Sequence, residues 1–235
     1  MVPIAVTTPN PSAMERLQAF VSDASFPCVG AKAALGLDTI VIVPAVDMRT
    51  DTSDARITAE LQAFAARADD NSPFLSLAIV FEQTPPLSEG QFEAALWRRL
   101  QAIHDIDLQS HEWDPDVSSD PRSPDFGMSV GGHGFYVVGL HPGASRPARR
   151  FSQAMLVFNL HSQFLRLKED GRYPKMQSMI SARDIELCGS RNPMLAAHGV
   201  ASEAPQYSGR VVGPQWVCPF NARPAKAAGY PAERS

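Results

Sequence analysis

The sequence predicts a single α+β domain, with a mixed or mainly antiparallel sheet flanked by helices. Three observations predict it. Amphipathic stretches of helical period recur along the chain, short β-branched runs lie between them, and strand-like residues flank a Gly131-Gly132 pair. No internal repeat and no clean linker divides the chain, so one domain spans 1–235, with poorly ordered ends expected at about 1–10 and 222–235.

Taken in order, Ser12 and Glu15 stand at capping-box spacing before an apolar stripe of Leu17, Phe20 and Val21, which predicts a helix. Phe26-Pro27-Cys28 opens a second short helix that Gly36 ends. Thr39 to Val43 is a β-branched run and reads as a buried strand. Ile57, Leu61, Phe64, Ala65 and Ala68 place an amphipathic helix over about 53–69, and Leu75 to Phe81 is a second strand. Ser88 and Gln91 form another capping box before Phe92, Ala95, Leu96, Leu100 and Ile103. Residues from about 110 to 125 carry Pro115, Pro121 and Pro124 among Asp and Ser, a loop long enough to suggest a lid or flap. A hairpin over Phe126 to Leu140, a strand at Met155 to Phe158 and a helix from about His161 to Glu169 follow. Met176, Met179, Ile180 and Leu187 mark the last long helix, stopped by Gly189.

Composition narrows the function classes. A chain of 235 residues, 44% hydrophobic and 20% charged, is that of an ordinary soluble globular protein. A formal charge of −4 gives no basic footprint for nucleic acid. No apolar run approaches the roughly 18–20 residues that span a bilayer. The stretch from Met1 to Pro11 lacks the charged flank and apolar core of a secretory signal. Three cysteines do not suggest a disulfide scaffold. The expectation is a cytoplasmic protein without nucleic-acid or membrane partners.

The densest polar stretch runs from Gly139 to Phe151, where His141 precedes Ser145, Arg146, Arg149 and Arg150. Arginine forks hold carboxylates and phosphates, so this loop is a candidate anion site, against the alternative of a solvated basic loop. His141 is a candidate metal or haem ligand, and His161, at a strand-to-helix junction, is another. His133 and His141 are eight apart and share a face if the strand is continuous, as ligands of a non-haem metal can. Cys28 at a helix start has a dipole that can lower its pKa, although burial as a small residue is the commoner reason for such a cysteine. Cys188 reads as structural, and Cys218-Pro219 as a distant haem-ligand alternative. Glu203 and Asp184 are the carboxylates nearest the Gln206-Tyr207-Ser208 cluster and can hold a cation, or pair with Arg210 or Arg183.

Several ordered segments resemble one family. They are Phe26 to Lys32, Gly139 to Phe151, Leu156 to Phe164, Gly189 to Leu195, Ser202 to Arg210 and Trp216 to Phe220. In this order they are similar to the YqcI/YcgG family over about residues 20 to 220. The family's tail more often reads Ser-Glu-Ala-Arg-Gln-Tyr, and Pro205 stands here in place of that arginine. The family includes GntA-like haem-dependent guanidine N-hydroxylases of natural-product biosynthesis. The resemblance therefore implies haem b, molecular oxygen, an external electron donor such as an electron-donor protein, and a small guanidino or amino substrate resembling arginine. It implies a monooxygenase, with a non-catalytic haem-binding or sensor protein and a non-haem metal oxygenase as the alternatives. In that reading His141, or His161, ligates iron, and Ser145, Arg146, Arg149, Arg150 and Phe151 hold the cofactor. Glu203 and Asp184 face the substrate.

Overall fold

Helices begin where the sequence supplies reciprocal caps. In the computed structural model, which describes residues 11–68, 74–195 and 201–223, α1 (Ala13–Ser22) starts at Ser12. The Ser12 hydroxyl accepts the Glu15 N–H, and the Glu15 carboxylate accepts the Ser12 N–H. Two otherwise open donors are thereby satisfied. After α2 (Val29–Gly36), β1 (Ile40–Ala45), α3 (Asp54–Ala66) and β2 (Ser76–Phe81) comes α4 (Glu89–Asp107), capped in the same way by Ser88 and Gln91. The rest comprises β3 (Met128–Val130), β4 (His133–Leu140), β5 (Ala154–Leu160), α5 (His161–Glu169) and α6 (Tyr173–Cys188). Single 3-10 turns lie at Pro147–Arg149 and Ala204–Gln206.

The five strands form one mixed sheet in the order β1-β2-β5-β4-β3. β1 and β2 are parallel, joined through α3, and the other three pairings are antiparallel. The predicted fold class is thus the observed one. Gly131 and Gly132 both have positive φ, 62° and 74°, the geometry a two-residue hairpin turn demands and glycine supplies.

Period-two alternation divides the sheet into unequal faces. Leu77, Ile79, Phe81, Leu156 and Phe158 face Ile57, Leu61, Phe64, Phe92 and Leu96 of α3 and α4 in a closed core. The opposite side of β2 presents Ser76, Ala78 and Val80, smaller by one or more methylenes at each step. This second face packs on Leu17, Val21 and Phe26 around α1 and α2, and leaves room beneath α5 and α6.

Beyond α6 the chain returns as a strap along α4. Tyr207 stacks on Trp97 with ring centroids 5.6 Å apart, Arg210 pairs with Glu93, and Asn221 and Gln101 exchange two hydrogen bonds. Arg223 donates its backbone N–H to His104 Nε2 at 3.0 Å. Of the ends expected to be poorly ordered, only residues 222 and 223 are described, and the remainder lies outside the described residues. The 110–125 segment is no lid over the second face. Asp114 accepts the Gly134 N–H at 2.6 Å, Trp113 donates to Val117 O, and Val117 is buried against the hairpin. Its Asp and Ser side chains satisfy nearby backbone N–H groups, which orders a proline-rich loop without regular structure. Among the described residues no helix is long and apolar enough to cross a membrane.

Candidate functional site

The room left by the small side of β2 is a cavity of about 310 Å³ between the sheet and α1, α2, α5 and α6. Ala78, Val138, Met155 and Val157 give it an apolar floor. At one end Ser76 donates to Asn159 Oδ1 at 2.7 Å, and Tyr136 Oη donates to Gln206 Oε1 at 3.2 Å. These polar groups enter because β4 and β5 place Tyr136 and Asn159 opposite each other in register.

Four of the residues predicted to hold cofactor or substrate line this cavity: Arg146, Arg149, Asp184 and Glu203. Arg146 is bonded to the Asp184 carboxylate and to Ser190 O, so its charge is neutralised by α6. Arg149 reaches Gly139 O at 2.9 Å, Gln206 O at 3.2 Å and Tyr207 O at 3.4 Å, all carbonyls. Burial holds its pKa below the usual guanidinium value. The Glu203 carboxylate, buried in the wall, is close enough for its charge to raise the pKa of Tyr136, Tyr173 and Tyr207, on top of their burial. The pairings expected from sequence are replaced: Arg210 serves Glu93, and Arg183 donates to Ala24 O and Phe26 O.

Other candidates lie elsewhere. His141 is buried on the opposite face, stacked flat on Phe92 with centroids 4.2 Å apart, because parity along β4 sends Tyr136, Val138 and Leu140 to the cavity and their neighbours away. Its pKa is lowered by that burial. His161 is buried at the first turn of α5 but does not line the cavity, since the chain turns into helix right after Asn159 and Leu160. His133 and His141 share a face yet sit at opposite ends of β4, roughly 26 Å apart at about 3.3 Å per residue, too far for one metal. Among the described residues no group of three His, Cys, Asp or Glu is arranged to hold a metal ion. Ser145 and Arg150 are exposed; Ser145 caps Glu89 and Arg150 bonds its own loop carbonyls. Phe151 packs behind the cavity, edge-on to Phe20.

Cys28 is the residue that sequence reading undervalued. It is the N-cap of α2, its Sγ accepts the Ala31 N–H at 3.4 Å, and it lines the cavity. Burial raises its pKa, opposed by the Ala31 and Gly30 amides and by the charge of Arg149. Cys218 lies on the strap outside the cavity, with its thiol pushed up to about 12, and Cys188 donates to Asp184.

An apolar chamber on one face of a mixed sheet, holding a thiol, two guanidinium groups and two carboxylates, defines a single-domain α+β protein built around a ligand cavity. A family model described as the YqcI/YcgG family matches residues 17–221, and the chain belongs to that family. No curated protein and no solved structure matches it.

Proposed function

We propose that the chain is a haem-dependent monooxygenase that N-hydroxylates a guanidino or amino group of a small, arginine-like substrate in this cavity. The supporting observation is the meeting of one thiol, a carbonyl-bound guanidinium and the Glu203 carboxylate in a single apolar chamber. The donor set fits a haem: the described lining includes Cys28 and no imidazole, and thiolate is an established haem ligand type. Cys28, rather than His141 or His161, is the ligand of this reading. When bound, haem supplies the activation of molecular oxygen, with electrons from an external donor.

The chain's own residues do the rest. Burial favours the neutral Cys28 thiol, and the Ala31 and Gly30 amides with the charge of Arg149 oppose that preference. The apolar floor excludes water, which strengthens each charge interaction inside. Glu203 holds the substrate cation, because an unpaired buried charge is costly, and thereby positions one nitrogen. Asp184 keeps Arg146 neutralised so that the wall at α6 carries no excess charge.

Purified protein titrated with hemin should develop a stoichiometric Soret band, and its ferrous–CO complex a thiolate-type spectrum. Cys28→Ala should lose that spectrum, while His141→Ala and His161→Ala keep it. L-arginine should perturb the band of wild type. Absence of haem uptake would sink the reading. Haem uptake without response to any guanidino or amino compound would leave a non-catalytic haem binder.

A further inference from the structure

The three arginines of the 146–150 loop have separate fates. Arg150 faces solvent, and Arg146 is bonded to Asp184. Among the described cavity residues, Arg149 brings a cation whose bonded partners are all neutral, three carbonyl oxygens and the Tyr136 hydroxyl, with no carboxylate bonded to it. Two of those carbonyls bond Nη1 and the third bonds Nη2. A guanidinium has five N–H donors, so the three carbonyls and Tyr136 leave at least one for a ligand.

The guanidinium is also held in place. Its carbonyl partners lie at the end of β4 and in the 3-10 turn Ala204–Gln206 with its following residue, so two separate segments fix it. Gly209 closes over the Arg149 stem at φ 79°, where an added Cβ would come within 3.3 Å of Arg149 Cγ. The nearest carboxylate whose field it feels, Asp184, is already bonded to Arg146.

We infer that Arg149 is the anion receptor of the cavity, binding a carboxylate carried by an otherwise apolar or cationic ligand as the charge partner its neutral neighbours do not supply. The carboxylate has two possible sources, a porphyrin propionate or the α-carboxylate of an amino-acid substrate. The inference does not require that haem be the cofactor.

The first test needs no haem. Anilinonaphthalene sulfonate and uncharged phenylnaphthylamine share a ring system and differ by the anion. In Arg149→Gln the sulfonate should lose about tenfold or more in affinity, the value of a charge-assisted hydrogen bond, while the amine changes less than about twofold. Arg150→Gln should leave both unchanged. Equal losses for both probes, or none for either, would overturn the inference. Because Arg149 also bridges β4 to the tail, Arg149→Lys and wild type provide readings that do not depend on the Gln variant folding. Lys should retain most of the sulfonate affinity. In wild type, hemin compared with hemin dimethyl ester reads the propionate, and L-arginine compared with its methyl ester reads the substrate carboxylate. The pair whose acid form binds about tenfold tighter identifies the source. Equal binding of acid and ester in both pairs rejects the receptor, whereas failure of hemin alone rejects only the haem reading.

Discussion

The charge of Glu203 bears on three tyrosines at once, raising the pKa of Tyr136, Tyr173 and Tyr207, whereas Asp184 is bonded to Arg146 and to the Cys188 thiol. The two carboxylates are therefore not equivalent. Asp184 holds α6 onto the 146–150 loop, and in the proposed reading Glu203 supplies the charge that a cationic substrate meets. Glu203→Gln keeps size and most hydrogen-bonding capacity but removes the charge. In that variant the spectral response to L-arginine should weaken roughly 10- to 100-fold, in line with loss of one charge-assisted bond, while haem uptake is unchanged. The neutral isostere citrulline should respond equally in both proteins. An undiminished arginine response in Glu203→Gln would remove this carboxylate from substrate binding.

Two elements carry a histidine whose burial favours the neutral form. At the end of β4, His141 is stacked on Phe92; on α4, His104 accepts the Arg223 N–H and so holds the end of the strap. Burial lowers the pKa of both, with Asp105 and Asp107 opposing it at His104 and Glu89 at His141. In the unfolded chain each titrates near 6.5. Below about that pH the unfolded state takes up protons that the native state refuses, so stability is full above it and falls as pH drops toward the folded values. Urea midpoints should decline from about pH 7 to about pH 5, and His104→Gln, which preserves an acceptor for Arg223, should show a shallower decline. An identical pH slope in that variant would show that the strap contact does not depend on a neutral imidazole. The elements themselves were legible, since capping boxes at Ser12 and Ser88 and the Gly131-Gly132 turn mark their boundaries by local chemistry. The site was legible only in part. Which face His141 takes is set by parity along β4, and which arginine keeps its charge available is set by Asp184, distant in sequence. Cys28 could be placed at a helix start from Pro27 and Gly36, but nothing local reveals that α2 opens onto a cavity.

At the scale of the whole molecule, the sheet is packed tightly on one face and loosely on the other, and β2 makes the difference. Its sequence from Ser76 to Phe81 is buried throughout, so hydrophobicity alone hides the alternation of large Leu77, Ile79 and Phe81 with small Ser76 and Ala78. Ala78 and Ala95 are both fully buried, Ala78 on the cavity floor and Ala95 in the closed core under α4. The same substitution should therefore act in opposite directions at the two sites. Ala95→Leu forces methylenes into filled space and should cost about 1–3 kcal/mol. At about 2–4 °C per kcal/mol for a chain of this size, its Tm should fall by several degrees. Ala78→Leu fills space already present and should leave Tm unchanged or raise it by the roughly 0.5–2 kcal/mol typical of cavity filling. Its cost should appear instead as lost uptake of hemin and of the naphthalene probes, the trade between stability and function expected where a void is kept for a ligand. Thermal unfolding and probe titration of the two variants decide the matter. A loss of Tm in Ala78→Leu as large as in Ala95→Leu would show that the second face is closed in solution, and the cavity would no longer support a binding site.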